Sequence, residues 1–182
     1  MKKTAEISPI MQELATYIAK AGKKPLPKPL AEKTKHHVLD TIAAMVSGSQ
    51  LLPGVEAISY IKTQGGTPEA TVIGSRIVTS AINAALANGM LGHADETDDS
   101  HAASLTHPGC GIVPAALAMG EREQANGTAF LRAVALGYDV GCRLTMALNS
   151  SSVIPSRRCL GSTGTEPNPG SESGRSGKNS SF

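Results

Sequence analysis

Between Gly92 and Gly109 the chain reads Gly-His-Ala-Asp-Glu-Thr-Asp-Asp-Ser-His-Ala-Ala-Ser-Leu-Thr-His-Pro-Gly. This stretch holds three of the 5 histidines and four of the 15 acidic residues. Imidazole and carboxylate are the side chains best suited to proton transfer near neutral pH. Crowded carboxylates raise one another's pKa, and a helix C-terminus just before them pushes the same way. A carboxylate here is therefore expected to be partly protonated and able to act as acid or base. A plain solvated loop competes with this reading, because charge clusters in loops are commonly just exposed. A metal site is a further alternative, with His93, Asp95, Asp98, Asp99 and His101 offering ligands for Zn or Mn. The spacing matches no strong metal template. It is not HExxH, and an EF-hand loop fails because Ser100 stands where the turn glycine belongs and Thr106 where the closing Glu belongs.

Other positions carry less. His36-His37 lies on the polar side of a helix and is expected to face solvent. Gly65-Gly66 lacks the Lys-Ser/Thr of a phosphate-binding loop. Cys110 and Cys142 read as small packing residues, and Arg143 faces either solvent or an anionic ligand. Asn126-Gly127-Thr128 fits a glycosylation sequon, which matters only in a secreted chain.

The elements that must position the loop read as successive helices, so the expected class is all-α. Ser8-Pro9 opens a first helix with Ile10, Leu14, Tyr17 and Ile18 on one face, and Gly22 stops it. After a stiff Pro25/Pro27/Pro29 connector, a helix from about Leu30 to Val46 carries Val38, Leu39, Ile42, Met45 and Val46 as its stripe. A shorter one follows Pro53 with Val55, Ile58 and Ile61. The run from Ala70 to Gly74 is the one β-like stretch. Thr79 or Ser80 caps an Ala-rich helix to about Leu91, with Ile82, Ala85, Leu86 and Met90 on one face. Pro114 is expected to open the next helix, and a last one runs to about Leu148 with Leu131, Val134, Tyr138 and Leu144 inward. The loop thus joins two apolar helices that pin both its ends.

Length and composition narrow the class. The chain has 182 residues and a formal net charge of +2. That balance is no nucleic-acid footprint. Three cysteines give neither a disulfide framework nor CxxC spacing. No apolar run reaches membrane-span length, and the N-terminus is not a signal peptide. A cytoplasmic protein with no membrane or nucleic-acid partner is expected. Aromatic residues are only 3 % of the chain, so small side chains must fill much of the core. Composition shifts near residue 150, and 15 of the 28 residues from Pro155 to Phe182 are Gly, Pro or Ser. The reading is a helical domain over 1–150 and a disordered tail over 151–182.

Several ordered motifs carry a family resemblance: Asn88-Gly89, then His93, then Glu96-Thr97-Asp98-Asp99-Ser100, then His107-Pro108-Gly109, then Pro114-Ala115-Ala116-Leu117-Ala118. Gly127-Thr128, the Gly137-Tyr138-Asp139-Val140 stretch with Arg143, and Val38-Leu39-Asp40-Thr41-Ile42-Ala43 agree with it. Over about residues 8–150 the chain resembles the N-terminal helical domain of the MmgE/PrpD family, which includes 2-methylcitrate dehydratase, cis-aconitate decarboxylase and iminodisuccinate epimerase. The resemblance implies a cofactor-independent lyase or isomerase acting on a small di- or tricarboxylate, with no metal, and homodimers among full-length members. It implies His107 as a proton-transfer residue. Asp95 or Glu96, with Asp98 and Asp99, would tune it or take part directly, and His101, His93 and Ser100 would contact substrate. The family's first acidic position falls on Glu96, or on Asp95 if the register slips by one.

Family chains are longer, and their later part supplies further Lys and His residues to the active site. Here Arg157-Arg158-Cys159-Leu160 and a Ser/Gly/Pro tail stand where an Ala-rich continuation is expected, the pattern of a shifted reading frame or a truncated chain. Little catalysis by the chain alone follows. Two rivals stay open: a metal-dependent helical hydrolase using the His/Asp loop, and a non-enzymatic helical interaction module whose exposed apolar surface would self-associate.

Overall fold

A computed structural model describes residues 7–150, with side chains through 148. The tail read at 151–182 lies outside the described residues. The described residues form six helices and one minimal β-ladder: α1 (Pro9–Ala21), α2 (Lys28–Gly48), α3 (Leu52–Gln64), β1 (Ala70–Thr71), β2 (Val78–Thr79), α4 (Ala81–Gly92), α5 (Pro108–Arg122) and α6 (Gly127–Ser150). The all-α expectation is borne out.

Local chemistry sets the starts. The Ser8 hydroxyl accepts from the Met11 N–H, and Pro9 occupies the first turn of α1, where it removes no hydrogen bond. Ser80 caps α4 in the same way through the Asn83 N–H. The β-like run pairs antiparallel with Val78–Thr79, a partner that was not anticipated. Fully buried Asn88 ties this hairpin to α4: its Oδ1 accepts from the Ile73 N–H, and its Nδ2 donates to the Thr71 carbonyl, both at 2.9 Å.

Helix α4 lies at the centre and packs against α2, α3 and α5, while α5 packs on α6. Met45, Ile61, Val72, Leu91, Val113 and Val134 form the core, filled out by Ala81, Ala84, Ala87 and Ala118. Apart from Leu91, the face of α4 turned inward is its small one. Ile82, Leu86 and Met90, read as one face of that helix, are exposed, Ile82 by 81 %. On α2 the buried line is Thr34, Thr41, Ala44, Met45 and Gly48, whereas Leu39 and Val46 face outward. Helix α1 has no buried residue, and Leu144 on α6 is exposed. The physical reason is close approach: small side chains let backbones meet, and the bulkier apolar residues are left on the outside.

Among the described residues no single helix is long and apolar enough to cross a membrane.

Candidate active site

The loop joins α4 to α5, and both ends are held by buried backbone: Leu91 and Gly92 on one side, Pro108 and Gly109 on the other. Helix α5 begins at Pro108, one residue after His107 and earlier than the expected start at Pro114, which lies inside the helix. This places His107 as the N-cap of α5 and His93 as the C-cap of α4.

Asp98 organises the centre. Its side chain has no solvent exposure, and it faces two half-exposed imidazoles. His93 Nδ1 lies 3.0 Å from Asp98 Oδ1, and His107 Nδ1 lies 3.6 Å from the same oxygen. The two rings are 5.1 Å apart. Cys110, in the first turn of α5, donates its thiol to the His107 carbonyl at 3.1 Å and lies close to this carboxylate; burial first, and then Asp98, push its thiol up to about 11. At neutral pH it is a thiol.

Asp99 points the other way. Its Oδ1 accepts from the Gly109 N–H at 2.8 Å, and its Oδ2 accepts from the Tyr138 hydroxyl at 2.7 Å. His37 Nδ1 lies 3.1 Å from Oδ2, and the His37 ring sits 4.8 Å from the Tyr138 ring. Burial first, then the bond to Asp99, raise the Tyr138 phenol above its ordinary value, so it remains a donor. Asp99 thereby links α2, the start of α5 and α6. The helix end beside it is an N-terminus, whose free N–H groups favour negative charge.

Asp95 is the carboxylate whose shift is opposite to the expectation. Hydrogen bonds from the Thr97 hydroxyl and then the Ser47 hydroxyl, each 2.7 Å long, hold it below its ordinary value. A carboxylate lowered in the folded state stabilises it above the unfolded pKa near 3.8, and that contribution is lost as pH falls through the lower folded value. Asp95→Asn should therefore flatten the acid-induced fall in melting temperature below about pH 4, read by calorimetry. An unchanged acid limb would show that these bonds do not couple to folding.

The remaining candidates are dispersed. Glu96 is exposed, with a left-handed φ of 57°, and Ser100 is exposed. His101 turns into a tight 101–106 loop, where its Nδ1 meets the Ser104 hydroxyl at 2.8 Å and its backbone pairs with Thr106. Its ring lines a separate groove of about 710 Å³ between α1 and α6, together with Tyr17, Lys24, Arg132 and Arg143. Tyr17 donates to Asp139, which also pairs with Arg143. His93, His107 and Asp98 thus come together, while His101, Glu96 and Ser100 stand apart from them.

His37 is the residue sequence reasoning placed wrongly, since it faces Asp99 and not open solvent. The available signal was the spacing Thr34, His37, Thr41, Met45, Gly48, a small and polar stripe with helical period.

The model of the MmgE/PrpD N-terminal domain matches residues 12–165. This chain belongs to that family. Within the MmgE/PrpD comparison, a curated relative is the cis-aconitate decarboxylase-like protein oryM of Aspergillus oryzae (strain ATCC 42149 / RIB 40). It is 26 % identical over 152 residues, which cover 80 % of this chain and 32 % of the relative. The chain spans about a third of the length of the curated relative it matches. The MmgE/PrpD match and this relative support a dehydratase- or decarboxylase-like family.

Proposed function

We propose that His93, Asp98 and His107 form the proton-transfer part of a lyase site acting on a small di- or tricarboxylate, without a cofactor. One observation carries this reading: two half-exposed imidazoles converge on a single buried carboxylate. A carboxylate on one ring nitrogen fixes tautomer and orientation and leaves the other nitrogen free to take a proton. His107, at the mouth of α5, abstracts the proton next to a substrate carboxylate. Asp98 holds His93 by a hydrogen bond of 3.0 Å and faces His107 Nδ1 across 3.6 Å, close enough to stabilise the imidazolium that proton abstraction leaves. Asp99 holds the loop against α5, with Asp95 pinning its first turn to Ser47. Glu96, being exposed and free of the other acids, is the carboxylate placed to meet substrate from solvent. Substrate carboxylates need cationic partners, and no Lys or Arg lies between Gly92 and Gly111. Net loss of water or carbon dioxide by this chain alone should therefore be slow or nil.

Proton exchange tests the reading directly. Citrate, 2-methylcitrate and cis-aconitate, each at high concentration in D₂O, should show deuterium entering at a carbon next to a carboxylate for at least one of them. The rate should fall at least tenfold in His107→Gln. Exchange that is absent, or equal in the two proteins, would sink the assignment.

A helical interaction module remains a second reading, favoured by the exposed stripe Ile82, Leu86 and Met90 on α4. An apolar strip of this kind drives association. Light scattering should show concentration-dependent self-association that weakens in Ile82→Gln/Leu86→Gln; a monodisperse monomer at all concentrations would remove this reading.

A further inference from the structure

We propose that His93, Asp98 and Cys110 form a binding site for a Zn²⁺-type cation, with His107 able to complete it. The ligand atoms of the first three lie within 4.8 Å of one another. His107 Nδ1 lies 3.6 Å from the Asp98 carboxylate. Four donors on a tetrahedral ion with bonds of about 2.0–2.3 Å stand about 3.3–3.6 Å apart. Among His93, Asp98 and Cys110 the separations run from 3.0 Å to no more than 4.8 Å, so side-chain rotations of about 1 Å bring these three into that range, and His107 would have to turn toward them.

Two further features point to a cation. Asp98 is a fully buried carboxylate, and among the described residues no Lys or Arg forms an ion pair with it. An uncompensated buried charge is costly. A protonated imidazole or a bound cation removes that cost. The donor set is one carboxylate, one thiol and two imidazoles. This mixture of borderline and soft ligands selects Zn²⁺ over the hard ions Mg²⁺ and Ca²⁺. It also differs from the set suggested by spacing alone: Asp95, Asp99 and His101 all have other partners, and Cys110 takes their place.

Such an ion would occupy the imidazoles assigned above to proton transfer. The consequence for activity rests on that assignment: bound metal would be an inhibitor, not a cofactor. The binding itself does not depend on it.

The test is titration of the 182-residue chain with Co²⁺, followed by displacement with Zn²⁺. One equivalent of Co²⁺ should bind, with tetrahedral visible bands and a thiolate-to-Co²⁺ charge-transfer band, and Zn²⁺ should abolish both. Cys110→Ser should lose the charge-transfer band, while Cys142→Ser and Cys159→Ser keep it. Asp98→Asn and His93→Gln should each weaken binding at least tenfold. Half-exposed His93 is the safer variant if Asp98→Asn fails to fold. No stoichiometric binding, or a charge-transfer band that follows Cys142 or Cys159 instead, would overturn the site. One equivalent of Co²⁺ bound through Cys110, with no proton exchange in the metal-free chain, would uphold the metal site and fail the lyase reading.

Discussion

Gly48→Ala should destabilise the fold by about 3–5 kcal/mol, near the upper end for a single substitution. A Cβ at this position would stand 1.9 Å from the Leu91 carbonyl oxygen and 3.0 Å from the Ala94 Cβ. The first of these neighbours is backbone, so no side-chain rotation relieves the clash; α2 and α4 would have to separate. Even the gain of about 1 kcal/mol that alanine brings over glycine inside a helix would be too little to offset the separation, and Gly48 is the last residue of α2, where the gain is smaller. The loss extends to the site. Ser47 bonds Asp95, and Leu91 precedes the loop by one residue, so moving this crossing moves both. Urea denaturation followed by circular dichroism reads the effect as a large fall in midpoint. The control is Gly111→Ala on α5, where an added Cβ meets nothing within 4 Å. It should raise stability by about 0.5–1 kcal/mol. A Gly48→Ala midpoint equal to wild type would mean that the α2–α4 crossing is not as close as described.

Gly109→Ala should cost about 2–4 kcal/mol, for a different reason. Its Cβ would stand 2.5 Å from Asp99 Oδ1, 2.6 Å from Thr41 Oγ1 and 3.0 Å from the Tyr138 hydroxyl. All three neighbours are side-chain atoms, but each is already engaged: Tyr138 donates to Asp99, and Thr41 donates to the His37 carbonyl. Displacing Asp99 breaks its bonds to the Gly109 N–H and to Tyr138 and leaves buried polar groups unpaired. A double-mutant cycle with Asp99→Gly separates this from a generic packing fault. The combined loss should fall short of the sum of the two single losses by at least 1 kcal/mol. Strict additivity would show that the carboxylate is not what excludes a side chain at 109.

Much of this architecture could be read from residues whose chemistry acts locally. Ser8-Pro9 and Ser80 mark helix starts because capping needs only a hydroxyl and three residues of chain. The loop from 92 to 107 stands out because it concentrates three of the 5 histidines among four carboxylates between two apolar helices. What escaped was set by packing over long separations. Ile82, Leu86 and Met90 of α4 point outward because its buried face, alanines with Asn88 and Leu91, meets Gly48 and Gly54 at close range, where there is no room for further bulk. Hydrophobic periodicity locates a stripe without saying whether bulk or smallness is buried. For His37 the stripe on α2 marks the inward face, but its partner Asp99 is more than sixty positions away, and the stripe does not name it. Pro114 resembled a helix start because proline favours the first turn; Pro108 meets that preference one turn and a half earlier, and α5 continues through the second proline.

Asp98 and Asp99 are neighbours in the chain, yet they serve opposite sides of the loop, one toward the imidazoles and the other toward the start of α5. The loop therefore counts residues. Removing one residue between Asp95 and Asp98, or adding one, would offer the wrong carboxylate to each side. The histidines would lose their common anchor in the same step that α5 lost its cap. Length, more than the identity of any exposed residue in 94–97, is thus what variation in this segment has to preserve.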